Sequence, residues 1–247
     1  MRGLIKIALV GCLFLSATST FAQDAEEEGS GRSWEGNGEF GFVNTTGNTE
    51  TVALNMKLNF LLNTDRWRHR FSATALNTSE DGVQDNERYT AEVQSDRKLS
   101  EISWMFGAFR WDADKFGSYD PQTSLTAGYG RQLMKSENHE LKGEIGAGYR
   151  DLTARVSGES SGEAIARFLL DDAWQIWEST KWTNRLLVET GSSNTFTQFN
   201  TGLAVSMTER FAIKLGFEIR NNTDVPMDIE DNKNTDTITS ANLVYNF

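Results

Sequence analysis

The sequence predicts an all-β fold, a closed antiparallel transmembrane β-barrel of about 12 strands. Three observations predict it. From Trp34 to the last residue, apolar and polar side chains alternate with a period of two. The connections between these segments alternate between longer and shorter. Six of the seven tryptophans fall at strand ends that share the shorter connections.

Composition sets the outer bounds. The 247 residues carry 24 Lys and Arg against 35 Asp and Glu, a formal charge of −11. Such a chain lacks the basic stripe that neutralises phosphates, so no nucleic-acid partner is expected. Mean hydropathy is −0.48. That value argues against a helical membrane protein, but not against a barrel, in which only every second strand residue must be apolar.

The elements follow in chain order. Residues 1–22 read as a secretory signal peptide: Arg2 and Lys6, an apolar run from Ile7 to Leu15, then small residues with Thr20 and Ala22 before the cut. The run is too short to span a bilayer. Leu9-Val10-Gly11-Cys12 offers a rival lipoprotein pattern. It leaves almost no apolar stretch between Lys6 and the cysteine, so cleavage after Ala22 is the preferred reading. The exported chain then has no cysteine and a charge near −13, which suits a bacterial envelope protein. Residues 23–33, with Asp24, Glu26, Glu27 and Glu28, read as a disordered acidic tether with nothing to bury.

Strands are expected near 34–43, 50–63, 66–78, 87–98, 102–112, 123–133, 140–151, 163–177, 182–190, 195–207, 210–221 and 235–247. The second is the clearest. Val52, Leu54, Met56, Leu58, Phe60 and Leu62 lie on one face, and Thr51, Ala53, Asn55, Lys57, Asn59 and Leu61 on the other. On the fifth, Trp104, Phe106 and Ala108 oppose Met105, Phe109 and Trp111, so neither face is polar. The seventh sets Leu141, Gly143, Ile145, Ala147 and Tyr149 against Lys142, Glu144, Gly146, Gly148 and Arg150. On the eighth, Asp172 interrupts the face of Phe168, Leu170 and Trp174, which suggests a bulge. The eleventh sets Phe211, Ile213, Leu215, Phe217 and Ile219 against Ala212, Lys214, Gly216, Glu218 and Arg220. The twelfth ends on Leu243, Tyr245 and Phe247.

Apart from two short members, the odd connections (44–49, 79–86, 113–122, 152–162, 191–194, 222–234) are longer than the even ones (64–65, 99–101, 134–139, 178–181, 208–209). Long loops at one end and short turns at the other mark an outer-membrane barrel. Trp34, Trp67, Trp104, Trp174, Trp177 and Trp182 sit at the short-turn end, joined by Tyr245 and Phe247. Amphipathic aromatics collect at a membrane–water interface, so these eight are the expected interfacial belt. A soluble sandwich gives no reason for such clustering. Unpaired backbone groups are intolerable in hydrocarbon, so the sheet must close. Closure also removes the aggregation-prone edges.

Several segments resemble a known family. Trp34-Glu35-Gly36-Asn37-Gly38-Glu39-Phe40-Gly41, followed by Thr46-Gly47-Asn48-Thr49-Glu50-Thr51, resembles the opening of the YdiY-type salt-induced outer-membrane proteins, or domain of unknown function 481. Gly128-Tyr129-Gly130 with Leu133, Gly146-Ala147-Gly148-Tyr149-Arg150, Glu163-Ala164-Ile165-Ala166-Arg167 and the ending Leu243-Val244-Tyr245-Asn246-Phe247 are similar too. The resemblance covers about residues 34–247. It implies a bacterial outer-membrane location and a link to salt stress, and it brings no catalytic residues. Outer-membrane lipid and lipopolysaccharide are then the expected surroundings. The final strand up to Phe247 looks like the signal read by the barrel assembly machinery.

Catalytic signals are sparse. The two histidines, His69 and His139, fall near the short-turn end. Ser72 and Ser103 lie on strands near His69, but Ser72 has the opposite face parity, and no Gly-x-Ser-x-Gly elbow occurs. No enzyme, cofactor or structural metal site is expected. Asp224, Asp228, Glu230, Asp231 and Asp236 read as a solvated acidic loop, since their spacing does not follow a calcium-binding loop.

The polar face carries both signs. The candidate lumen charges are Lys57, Arg70, Arg88, Glu92, Glu144, Arg150, Arg167, Lys214, Glu218 and Arg220. Lys142, Arg185, Glu35, Glu39, Asp171, Glu189 and Asp236 share that face. Paired charges could fill and lock the lumen, or one sign could line a narrow aqueous path. Twelve strands fall between the filled eight-stranded barrels and the open porins, so both readings stand.

Overall fold

The computed structural model describes residues 32–45, 51–224 and 234–247. The expected signal peptide and nearly all of the tether lie outside them, and so does most of the acidic loop. Ser33, placed in the tether from sequence, opens the first strand. No helix occurs among the described residues.

The described residues form twelve strands: β1 (Ser33–Thr45), β2 (Thr51–Asn63), β3 (Trp67–Glu80), β4 (Val83–Lys98), β5 (Ser103–Asp114), β6 (Tyr119–Lys135), β7 (His139–Ala154), β8 (Ser160–Trp177), β9 (Thr180–Thr190), β10 (Thr195–Ser206), β11 (Phe211–Asn222) and β12 (Thr235–Asn246). Each pairs antiparallel with its chain neighbour, and β12 returns to β1, so the barrel is closed. The β1–β12 seam is short, running from Asn37–Asn246 to Phe40–Leu243. The backbone of Phe247 extends it, exchanging hydrogen bonds with Gly36 at 3.0 and 3.1 Å.

The barrel is inverted relative to a soluble sheet. On β2, Val52, Met56, Leu58 and Phe60 are exposed on the outside, while Asn55, Lys57 and Asn59 turn inward. On β11, Phe211, Ile213, Leu215 and Phe217 are exposed, while Arg220 is buried. Buried charged residues and an exposed apolar band are what a bilayer selects.

The strands run longer than expected at the end away from the termini. β4 begins at Val83 rather than 87, β6 at Tyr119 rather than 123, and β8 at Ser160 rather than 163. Polar ladders above an apolar band carry no hydrophobic alternation, so their ends are silent in sequence. The expected 79–86 connection is therefore a tight two-residue turn. Asp81 (φ 49°) and Gly82 (φ 77°) both have positive φ, which is the backbone an Asp-Gly hairpin turn requires. The contrast in loop length between the two ends is correspondingly smaller than expected. The suspected β8 bulge is also displaced. Asp172 keeps its register with Leu141 and Asn184, and the ladder shifts between Gln175 and Trp177 instead.

One belt residue is corrected. Trp34, Trp67, Trp174, Trp177, Trp182, Tyr245 and Phe247 are exposed at the terminal end, but Trp104 is only 5 % exposed and lies inside the barrel. The reason is Gly130, its register partner on β6. A Cβ on Gly130 would overlap the Trp104 indole. Gly146, one strand further on, likewise leaves room for the Phe106 ring, whose edge a Cβ there would approach to 2.9 Å. Gly130→Val should therefore expel the indole at a cost of about 1–3 kcal/mol, as overpacking does. A loss of near-ultraviolet dichroism with a lowered urea midpoint would register it; an unchanged spectrum would contradict this placement.

Candidate functional site: the barrel lumen

The lumen is asymmetric. The fill is anchored on β5–β8, is joined there by side chains of β3 and β4 and, toward the loop end, of β9–β11, and is built around three ion-pair centres.

The first is Glu144 on β7, 2 % exposed. It accepts hydrogen bonds from Arg70 Nη2 (2.8 Å), Gln94 Nε2 (2.9 Å), Trp104 Nε1 (3.1 Å) and Arg167 Nη1 (2.8 Å). Asp96, fully buried, pairs with Arg68 Nε at 2.7 Å. The Arg68 and Arg167 guanidinium groups each lie 4.7 Å from an aromatic ring, of Trp104 and Phe106 respectively. Inward aromatics and arginines thus pack each other, which a low-dielectric interior favours.

The second centre is Asp112 on β5. It pairs with Arg110 Nη2 at 2.6 Å and with Arg220 Nη2. Both guanidinium groups sit over Phe196, at 4.6 and 5.2 Å. Phe196, Leu169 and Leu187 form a small apolar cluster inside the lumen. The third is Arg150, 1 % exposed. It donates to Glu163 Oε1 and to the carbonyls of Asn194 and Glu189. Glu163 Oε2 in turn accepts from Ser193 N at 2.8 Å.

Beside the fill a cavity of about 1150 Å³ remains, lined mainly by β1–β4 and β9–β12 and, toward the terminal end, by Glu140, Lys142 and Asp171 of β7 and β8. Lys57, Arg70, Arg88, Glu92, Lys214 and Glu218, all candidates from sequence, line it. So do Glu39, Asp171 and Arg185. Its mouth at the terminal end includes Glu35, Glu140, Lys181, Glu209 and Arg210. Most charges on the wall are matched. Lys214 pairs with Glu39 at 2.7 Å and Arg185 with Glu92 at 2.8 Å; Arg88 reaches Glu218 at 3.5 Å. The other four candidates, Glu144, Arg150, Arg167 and Arg220, belong to the fill. Among these residues, the sequence reading missed Arg68, Asp96, Arg110, Asp112 and Glu163. Parity along β5 was the available signal: Arg110, Asp112 and Asp114 share the face of Trp104 and Phe106.

The outer face holds two polar pairs near the terminal end. His69 stacks on Trp67 (5.9 Å, 9° between planes) and meets Ser95 Oγ, rather than Ser72 or Ser103, at 2.9 Å. No carboxylate hydrogen-bonds to His69 among the described residues. His139 opens β7 rather than lying in a turn. It meets Asp172 Oδ1 at 2.6 Å, and Asn184 donates to the other Asp172 oxygen at 2.9 Å. Among the described residues, no group of three or more His, Cys, Asp or Glu is placed to hold a metal ion.

The chain is similar to several known proteins. A family profile described as "Protein of unknown function, DUF481" matches residues 38–247. The uncharacterized protein YdiY of Escherichia coli (strain K12) is 27% identical over 249 residues, covering 97% of this chain and 95% of that protein. Among solved structures, the COG4313 outer membrane channel from Pseudomonas putida F1 superposes with a TM-score of 0.51. It is 12% identical, with 87% of this chain and 95% of that chain covered. The NanC porin gives a TM-score of 0.48 at 9% identity, with 87% and 98% covered.

Proposed function

The chain belongs to the DUF481 family of proteins of unknown function, and from that premise we propose that it is a non-enzymatic outer-membrane barrel that passes ions or small polar solutes along the unfilled side of its lumen. One observation carries this reading. The fill is incomplete, leaving about 1150 Å³ lined by charges of both signs. A barrel whose inward side chains served only to lock it would fill both sides. Charged walls around a residual aqueous path are the usual means of selecting solutes in a pore.

The outer surface supports the location. An apolar band with Trp34, Trp67, Trp174, Trp177 and Trp182 at one rim fits a membrane interface. Lipid and lipopolysaccharide would contact that band. The barrel assembly machinery would read β12 through Leu243, Tyr245 and Phe247. The His69–Ser95 pair has no carboxylate hydrogen-bonded to the imidazole among the described residues, and His69 stacks on Trp67, which supports an interfacial rather than a catalytic role.

Refolded full-length protein in planar bilayers should give discrete conductance steps, and Glu218→Gln should change their size. A barrel that inserts yet stays silent over long recordings would overturn the proposal. Failure to co-fractionate with the outer membrane would overturn the location.

A further inference from the structure

We propose that the lumen contains a binding site for small oxyanions, carboxylate or phosphate, centred on Lys57. The inference rests on reading the cavity as open to solute.

Lys57 projects from the inner face of β2 into the cavity. Its register partner across the β1 ladder is Glu39, the obvious counter-ion. That carboxylate is already taken: Lys214 Nζ bonds one oxygen at 2.7 Å, and Asn242 Nδ2 bonds the other at 3.3 Å. On the β3 side its partner is Thr74, which is neutral. Among the described residues, Lys57 has no hydrogen bond and no carboxylate within 4.0 Å. The other cations set inside the rim do have one: Arg70, Arg88, Arg110, Arg185 and Lys214.

The carboxylates are accounted for as well. Glu39, Glu92, Asp171 and Glu218 each have a cation within 4.0 Å. Among the described residues, Lys57 is therefore the cation inside the rim that lacks a carboxylate within 4.0 Å. Lys214 and Arg185 add to its field, while Glu39 and Glu218 reduce it. Asn55 and Thr74 line the cavity beside it and offer neutral donors. An ammonium with spare N–H bonds, flanked by an amide and a hydroxyl in a roomy polar cavity, is suited to an oxyanion. Because no partner depends on Lys57, its replacement should leave folding intact.

Two experiments test this separately from conduction. In the first, lysines of the refolded full chain are ¹³C-dimethylated, which preserves charge. The Lys57 resonance is identified by its loss in Lys57→Arg. It should move saturably with acetate or inorganic phosphate, and further than with equal chloride. The stronger of the two responses names the preferred oxyanion. The absence of a saturable shift would overturn the site even in a conducting barrel. A saturable shift in a silent barrel would keep the site and overturn the channel. In the second, reversal potentials are read under a potassium chloride gradient. Lys57→Gln should lower the preference for chloride over potassium about fivefold, the worth of one unit charge about 4 Å away in a water-like dielectric. Lys57→Arg should retain it. Equal selectivity in the wild type and Lys57→Gln would contradict the proposal.

Discussion

Replacing Glu144 by alanine is expected to destabilise the barrel by about 3–5 kcal/mol, the usual cost of removing one partner from a buried ion pair. The carboxylate holds Arg70 and Arg167 together and also accepts from Trp104 and Gln94. Its loss leaves Arg167, 2 % exposed at the side chain, close to Arg70 with no anion between them. Arg167 keeps one carboxylate oxygen, of Glu92 at 4.0 Å, and the neutral Gln94 Oε1 at 3.4 Å. The lowered urea midpoint of the refolded protein would read this. A change below about 1 kcal/mol would mean that the centre is solvated like a surface pair.

Asp112→Ala should cost a similar amount, about 3–5 kcal/mol, for the same reason at the second centre. Arg110 and Arg220 would be left side by side above Phe196. This site allows a sharper test, because the repulsion can be removed at its source. Arg220→Met in the Asp112→Ala background takes away one buried charge and leaves an apolar side chain over the ring. The double variant should recover much of the lost stability, since an apolar replacement of a buried pair is often tolerated. If the double variant is no more stable than Asp112→Ala, repulsion is not the cause.

Strand alternation was legible because a barrel in lipid must expose every second residue to hydrocarbon. Val52 to Phe60 and Phe211 to Ile219 follow that rule, with Leu54 and Ile219 only half-exposed. β5 obscured it. Both of its faces are aromatic, since Trp104 and Phe106 pack against glycines and guanidinium groups rather than lipid. The charges at its far end, Arg110, Asp112 and Asp114, identify the inward face once parity is followed along the whole strand. The polar rims were silent because they bury nothing apolar. Sequence named ten lumen charges, missed others such as Arg110 and Asp112, and could not sort them. Whether Arg167 plugs and Lys57 lines depends on which strands curve toward each other, and no local pattern encodes that.

Cysteine accessibility tests the half-filled lumen most directly. In a Cys12→Ala background, single cysteines at Thr74 and Asn200 face the cavity, whereas cysteines at Thr126 and Ile165 are buried in the fill, at 3 % exposure each. The first two should react rapidly with a membrane-impermeant maleimide in the refolded barrel, and the last two should stay protected until it is unfolded. Equal labelling at all four positions, or protection at all four, would contradict a lumen filled on one side and open on the other.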